Sequence, residues 1–297
     1  MKPDSDPANA VTTVTTVTQP ATKAAPTPLD KIERAHLKDP GDTSHILYRY
    51  EASAEFDGLL QRFWIPVWSV PSGQEAPQKV LQYPVCLIVI SEEYARFYGV
   101  SSGLSTTTLA GDGWAVGLMC APAAGFLIAK TPVATFTDRY VDAPDVLGEA
   151  GEQLVDRVRD AMADAPGCPD AHRASMEAYG DILRPFLPVD REGLLVNRVV
   201  AFVEGHSDVT RMAQICAEFD LSERALQRLV HRRIGLTPKW LIQRRRLQEA
   251  AERLRQRTTT LGETAAVLGY ADQPHFIRDF SRVTSMTPGQ FAALHSS

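Results

Sequence analysis

The residues with the clearest chemical potential lie on a short predicted helix near the C-terminus, in the segment SERALQRLVHRR (222–233). Its apolar residues recur at helical spacing and must face a core, which leaves Arg224, Gln227 and Arg228 on the opposite face. An arginine can pair bidentately with the edge of guanine, and a glutamine with adenine. The three side chains are therefore candidates for reading bases in a major groove. A helix with a merely solvated polar face is the alternative.

A second segment repeats this pattern further along the chain. Residues 222–238 align with residues 272–288, with matching apolar positions and four identities, which are Arg228/Arg278, Arg232/Arg282, Thr237/Thr287 and Pro238/Pro288. Arg232 and Arg282, together with Arg244 and Arg245, are candidates for contacts to phosphates or for plain surface charge. The chain thus contains two copies of one helical unit.

Each copy needs a preceding helix and a tight turn to position it. The first unit is predicted over about 208–233, where Asp220 stands at the turn in a place that requires the left-handed conformation. The second is predicted over about 261–284, with Gly269 at its turn. Ser222 and Asp272 are suitable N-caps for the second helix of each unit. Two helix-turn-helix units in tandem are a much stronger signal of DNA binding than one.

The segment between the units has the length to serve as a spacer. Residues 238–257 have apolar residues at helical spacing and neither glycine nor proline after the first residue. A helix of that size is ~30 Å long, close to the ~34 Å between successive major-groove faces of B-DNA. The spacing favours two recognition helices that enter adjacent major-groove segments on one side of the duplex.

Residues from about 190 to the C-terminus resemble the DNA-binding domain of AraC/XylS-type transcription regulators. The motifs that carry the resemblance are SERALQRLV, GLTP, RRLQEA, LGYADQPHFIRDFSR and TPGQF. Asp220 and Ser285 depart from it where glycine is usual, and Val230 where an aromatic residue is usual. The resemblance implies a sequence-specific transcription regulator, more often an activator than a repressor, that binds double-stranded DNA and RNA polymerase.

The same resemblance assigns groove positions residue by residue. In the first unit they are Arg224, Gln227 and Arg228, and in the second they are Gln273 and Arg278. His275 is a further candidate, with a structural role at the start of its helix as an equal alternative.

Charge is divided unevenly along the chain, in keeping with two different tasks. The formal net charge is −5, yet residues 191–297 carry 16 basic against 11 acidic residues. The remaining 190 residues hold 15 basic and 25 acidic residues. A basic C-terminal region beside an acidic N-terminal one favours a nucleic-acid partner for the former.

The N-terminal region predicts a different fold class, which makes the chain a multidomain α+β protein. Residues 1–45 are rich in Thr, Ala and Pro and predict a disordered leader. Residues 46–165 predict a β-rich barrel or sandwich, cupin-like, that serves as an effector or dimerisation domain. Residues 166–189 predict a helical linker. The strand-like runs are FWIPVWSV, VCLIVI, YARFYGV, WAVGLM and GFLIA, followed by helices over about 147–162 and 171–183.

Residues from about 56 to 148 resemble the N-terminal domain of a subgroup of AraC-type regulators whose ligand is generally unknown. The segments FDGLLQRFWIPVW, LQYPVCLIVI, GDGWAVGLMCAPAAGF and TFTDRY carry this looser resemblance. It implies a sensing or oligomerising role. The aromatic residues that could line an apolar pocket, with ordinary core packing as the alternative, are Trp64, Trp68, Trp114, Phe97 and Phe126.

Several enzyme classes lack their signatures here. No histidine lies between His45 and His172, and no GxSxG, P-loop or Rossmann motif is present. We therefore expect no enzyme activity, no metal site and no cofactor. Two alternatives stay open: a constitutive DNA-binding protein whose N-terminal domain only dimerises it, and an enzyme domain fused to a DNA-targeting module.

The cellular compartment is predicted from cysteine usage and hydropathy. Four scattered cysteines suit a reducing environment, and Cys86 in an apolar strand is expected to be a core residue. Apolar runs are too short to cross a bilayer, and no signal-peptide pattern opens the chain. The expectation is a cytoplasmic protein, nucleoid-associated when bound to DNA, with a small-molecule effector and a homodimer as candidate partners and no membrane partner.

Overall fold

The computed structural model describes residues 42–81, 83–256 and 259–294. Strands dominate the first part of this region and helices the second, which confirms the predicted fold class. The strands are β1 His45–Glu51, β2 Leu60–Val70, β3 Ala76–Leu81, β4 Leu87–Ser91, β5 Ala95–Tyr98, β6 Leu104–Leu109, β7 Gly111–Cys120 and β8 Tyr140–Asp142. The first four helices are α1 Ala124–Ala129, α2 Ala143–Leu147, α3 Glu149–Met162 and α4 Pro169–Leu183.

The strands form two antiparallel sheets. The larger sheet has six strands in the order β1-β2-β7-β4-β5-β8, and the smaller consists of β3 and β6. Side chains alternate between the two faces of the large sheet, as the pleat requires. On β2, Phe63 and Ile65 are buried on one face, while Trp64 and Trp68 lie on the other. The latter face and the small sheet enclose a cavity between them.

Helices α3 and α4 cover the opposite face of the large sheet. The apolar stripe of α3, with Leu154, Val155 and Val158, is buried in the same cluster as α4 and the sheet. Tyr179 of α4 is fully buried, and its hydroxyl donates to the carbonyl oxygens of Val116 at 3.0 Å and Ile88 at 3.3 Å. Because these bonds fall on strand carbonyls, they join the helical layer to the sheet.

One local prediction in this region is wrong. The run GFLIA forms helix α1 instead of a strand, because it follows helix-favouring alanines and packs where Gly125 lies against the thiol of Cys86. The helix expected over about 147–162 is confirmed as α3, and it begins at Glu149 because Gly148 adopts a φ of 65° that is accessible to glycine and strained for other residues. The short helix α2 precedes this glycine.

From Arg191 onward, the described residues form helices alone. The seven helices are α5 Arg191–Gly205, α6 Met212–Phe219, α7 Glu223–Ile234, α8 Pro238–Gln256, α9 Leu261–Val267, α10 Gln273–Thr284 and α11 Pro288–Leu294. Asp190, between α4 and α5, caps α5 by accepting a hydrogen bond from the amide of Gly193 at 2.8 Å.

The core crosses the boundary between the β-rich and helical parts. One cluster of buried side chains runs from Tyr50 in β1 through the sheet to Ile242 in α8. A second joins Leu81 and Tyr83, next to the small sheet, to the helices from α8 onward. The predicted disordered leader falls largely outside the described residues, and β1 begins at its last residue, His45. None of the described helices is both long and apolar enough to span a membrane.

Candidate nucleic-acid interface

Helices α6 and α7 form the first helix-turn-helix unit. Between them, Asp220 adopts the left-handed conformation with φ 51° and ψ 48°, as the sequence predicts. The predicted N-cap is also confirmed, since the Ser222 hydroxyl accepts a hydrogen bond from the amide of Ala225 at 3.2 Å. Leu226 and Val230 are buried against α6, whereas Arg224, Gln227 and Arg228 are exposed together on the outer face of α7.

Helices α9 and α10 repeat this arrangement. Gly269 makes the turn with φ 72°, and the Asp272 carboxylate caps α10 by accepting from the amide of His275 at 2.7 Å. Phe276 and Phe280 are fully buried. Gln273, His275 and Arg278 are exposed. The two copies of the sequence repeat therefore form helices α7 and α10, each with a buried apolar face and an exposed polar face.

His275 has a packing role as well as an exposed position. Its ring meets Tyr270 edge-on, with 5.2 Å between ring centroids and an interplanar angle of 89°. Tyr270 is itself buried, and burial raises the pKa of its hydroxyl to about 12. This contact supports the structural alternative for His275, because it orients the imidazole at the start of α10.

Helix α8 connects the two units without interruption. Its 19 described residues correspond to a length of about 28 Å at 1.5 Å per residue. Thr237 caps it by accepting a hydrogen bond from the amide of Trp240 at 3.2 Å. Thr287 makes the same bond to the amide of Gln290 at 3.2 Å, at the start of α11. Both Thr-Pro pairs thus begin helices as predicted.

Arg232 and Arg282, which occupy equivalent positions in the two repeats, have different surroundings. Arg232 pairs with Glu192 of α5, and its guanidinium lies 4.9 Å from the centre of the Phe126 ring. Arg282 is mostly exposed and pairs with Asp279 on its own helix at 3.0 Å. Arg232 is thus held between α5 and α1, while Arg282 remains on the surface of the second unit.

Arg244 and Arg245, expected at the surface, are buried in α8. Arg244 donates to Glu204 at 2.8 Å, and its guanidinium lies 4.5 Å from the centre of the Tyr83 ring. Arg245 donates to the carbonyl oxygen of Val209 at 2.9 Å, and burial lowers the pKa of its guanidinium. Helical spacing within α8 alone does not show which face the neighbouring elements cover, so the prediction of surface charge was wrong for these two.

The C-terminal end of α7 packs against the β-rich part of the chain. Helix α1 and the 3-10 turn Val133–Phe136 both contact α7. The Thr137 hydroxyl donates to the carbonyl oxygen of Gly235 at 2.9 Å. Arg233 has a fully buried side chain, lies 4.5 Å from the centre of the Phe126 ring and pairs with Asp190. Arg233 was not predicted from the sequence, although its position seven residues after Leu226 places it on the buried face of α7.

The cavity in the β-rich part has a volume of about 400 Å³. Three of the five aromatic residues expected at a pocket line it, namely Trp64, Trp68 and Trp114. The other two do not, since Phe97 is fully buried in the core and Phe126 lies at the junction with α7. Cys86 is a core residue as expected, and burial raises the pKa of its thiol well above the usual range. Within residues 42–81, 83–256 and 259–294, no cluster of potential metal ligands is present.

Comparison with known proteins finds two separate matches along the chain. Residues 215–293 match the family model of a helix-turn-helix domain, and residues 48–142 match that of a domain of unknown function. The chain is 31% identical over 94 residues to the HTH-type transcriptional activator RhaS of Escherichia coli O1:K1 / APEC, a match that covers 31% of this chain and 34% of the relative. RhaS of strain SE11 matches equally.

These matches confirm the resemblance of the C-terminal region to the DNA-binding domain of AraC/XylS-type regulators. The members of that family are transcription regulators. The chain spans about a third of the length of the curated relatives that it matches.

Two solved structures are also similar over parts of the chain. One is the C-terminal domain of AraT, a response regulator from Geobacillus stearothermophilus, with 23% identity, a TM-score of 0.32, and coverage of 35% of this chain and 88% of that one. The other is ToxT from Vibrio cholerae O395, with 13% identity and a TM-score of 0.36. That match covers 86% of this chain and 100% of the ToxT chain. At TM-scores this low the structures carry no argument, and the AraC/XylS resemblance rests on the sequence matches.

Proposed function

We propose that this protein is a sequence-specific DNA-binding transcription regulator, acting as an activator that responds to a small molecule through its N-terminal region. The observation that carries the proposal is the pair of repeat-related helices, α7 and α10, each with a buried apolar face and an exposed polar face. The similarity of residues 215–293 to the helix-turn-helix domain of transcription regulators supports the same conclusion.

The base-reading residues of the first unit are Arg224, Gln227 and Arg228. They are exposed on one face of α7, and their side chains have the donors and acceptors that recognise guanine and adenine in the major groove. In the second unit the corresponding residues are Gln273 and Arg278, with His275 contributing less because its ring packs on Tyr270.

Phosphate contacts come mainly from Arg282, which is exposed near the C-terminal end of α10. For Arg232 a phosphate contact requires release from Glu192 and Phe126. Helix α8, about 28 Å long, holds the two recognition helices at a spacing suited to adjacent major-groove segments, ~34 Å apart. The partners in this proposal are double-stranded DNA, RNA polymerase and an effector held in the β-rich region, with the cytoplasm as the location and no catalytic role.

A selection from random duplexes with the full chain tests the proposal, followed by anisotropy titrations on the selected site and on random DNA. We expect enrichment of a bipartite site whose footprint covers two adjacent major-groove segments. Arg228→Ala should weaken binding to the selected site by about 1–3 kcal/mol and leave binding to random DNA almost unchanged, whereas Arg282→Ala should weaken both alike.

Arg191→Ala is the matched control, because it removes an exposed arginine on α5, outside both units. It should change neither titration by more than a small factor. Selection that enriches no motif would contradict sequence-specific recognition. Equal losses for Arg228→Ala and Arg282→Ala on both DNAs would contradict the assignment of base and phosphate contacts, and a footprint on a single groove segment would contradict the role given to α8.

A further inference from the structure

The cavity between the two sheets has two tryptophans in its floor, and each of them pairs with a glycine of the neighbouring strand. Trp64 and Trp68 lie on the same face of β2, and in the register of the sheet they stand opposite Gly117 and Gly113 of β7. Both indoles are half-buried and line the cavity. The pairing repeats at an interval of four residues along each strand, which is about 13 Å, so the indoles are two separate flat surfaces. Together the two indoles form the platform of the cavity.

The two glycines allow both indoles to lie against the backbone of β7. A Cβ atom at Gly113 would come within 2.5 Å of Cζ2 of Trp68, and a Cβ atom at Gly117 would overlap the indole of Trp64. Neither glycine has a positive φ, so conformational freedom is not the reason for glycine at these positions. The missing side chains leave room for the rings to lie close to the strand.

The position of the platform is fixed by further contacts. The indole nitrogen of Trp68 donates to the carbonyl oxygen of Ala110 at 3.3 Å. On the other side of β2, Arg49 and His45 of β1 are the cross-strand neighbours of Trp64 and Trp68. Residues of the small sheet, including Val80 and Thr107, line the same cavity. The cavity therefore has two flat indoles in its floor, charged side chains of both signs in its lining and an opposing sheet.

From this geometry we propose that the cavity binds a molecule with a planar aromatic ring system, stacked on the Trp64 indole of the platform. A flat ring offers its whole face to the indole, and offset stacking adds stabilisation beyond the burial of apolar area. The volume of about 400 Å³ lies in the range of small-molecule sites. This inference rests on the proposed function in one respect, namely that the ligand is the effector of the regulator.

Calorimetric titration of the full chain with three probes tests the inference. The probes are 2-naphthoate, which is flat and anionic, 2-naphthylmethanol, which is flat and neutral, and decahydro-2-naphthoate, which is puckered and anionic. We expect saturable binding of at least one flat probe below millimolar concentration, at least tenfold tighter than binding of the puckered probe. Tighter binding of 2-naphthoate than of 2-naphthylmethanol would show that the ligand's ring carries an acid group, because Arg49 is the cross-strand neighbour of Trp64.

Variants of the platform provide a second readout. Trp64→Leu should weaken binding of the preferred flat probe about tenfold, while Trp64→Phe should restore part of the affinity because it keeps a ring. Gly117→Ala should weaken binding by displacing the indole. Gly205→Ala is the matched control, since its Cβ meets no atom within 4 Å, and it should bind as the parent does.

Equal affinity for flat and puckered probes, no binding of either flat probe up to millimolar concentration, or full affinity in folded Trp64→Leu would each overturn the inference. If the platform variants do not fold, as judged by thermal melting, the comparison of flat and puckered probes on the parent chain decides alone. DNA binding is measured separately. A chain that binds flat rings and no specific DNA overturns the proposed function, while the reverse result overturns only the present inference.

Discussion

At the scale of single residues, Gly235 and Ser285 show how one repeat position comes to hold two different amino acids. They lie fifty residues apart at equivalent positions, and both end a recognition helix in the left-handed conformation, with φ of 86° and 59°. At Gly235 a Cβ atom would come within 2.5 Å of the Thr137 hydroxyl oxygen. Ser285 is exposed, so a side chain fits there despite the strained backbone.

This difference predicts that substitutions at Ser285 and Gly235 change the stability of the protein in opposite directions. Ser285→Gly should stabilise the protein by about 1 kcal/mol, because it relieves the left-handed strain of a residue with a Cβ atom. Gly235→Ala should destabilise it by more than that, since strain and the clash with Thr137 add together. Urea unfolding of the full-length variants measures both. A stability gain for Gly235→Ala, or a loss for Ser285→Gly, would show that the turn conformations are not as described.

At the scale of elements, the two recognition helices differ in what supports them. Helix α7 is contacted by α1, by the 3-10 turn Val133–Phe136, and by α5, α6 and α8. Helix α10 has its most extensive contacts with α9 and α11, and Gln243 of α8 donates to its Asp279. The β-rich part of the chain therefore contacts α7 of the first unit directly, whereas α10 is supported mainly by α8, α9 and α11.

Hydrogen exchange of the full chain should reveal this difference. We expect the central amides of α7 to exchange more slowly than those of α10, because local opening of α7 must also break contacts with the β-rich part. Peptide-resolved exchange followed by mass spectrometry measures the two rates in one sample. Phe126→Ala should accelerate exchange in α7 more than in α10, since its ring lies beside Arg232 and Arg233. Equal rates in the parent chain would count against the proposed support.

Elements with a regular local pattern were predictable, and those that depend on a neighbour were not. The helices from α5 onward have apolar residues at helical spacing and local caps, such as Ser222 and Asp272, which act within one turn. Strand β3, with Pro77 and Lys79, has no comparable signal and forms because it pairs with β6. The run GFLIA suits a strand by composition, but its packing against Cys86 and Val133 places it in a helix.

At the scale of the whole molecule, Asp190 and Arg233 join the start of α5 to the end of α7 beside the β-rich part. Burial acts to raise the pKa of the Asp190 carboxyl. Hydrogen bonds from Arg233 and from the amide of Gly193 outweigh burial, so the pKa is lowered from its usual value of 3.8. A carboxyl whose pKa is lower in the folded state adds stability above its unfolded pKa, and that stability is lost as the pH falls through the folded pKa.

This junction predicts a pH-dependent difference between the parent chain and Asp190→Asn. Above pH 4 the parent should be more stable by about 1 kcal/mol, a modest value because water screens the half-exposed carboxylate. The difference should shrink as the pH falls below 3.8, the usual pKa of the group. Urea unfolding between pH 3 and 6 measures it. Asp160→Asn on the exposed side of α3 is the control, and a constant difference across the range would refute the assignment.

The two helix-turn-helix units, their caps, their turns and the outward faces of α7 and α10 are predictable from the amino-acid sequence. These features follow from interactions within a few residues, and the internal repeat shows each of them twice. Contacts between distant elements, in contrast, hold Arg232 at Glu192 while Arg282 stays exposed, and place Trp64 and Trp68 over Gly117 and Gly113. Those arrangements join residues that are 40 or more positions apart along the chain, where no local periodicity records which side chains meet.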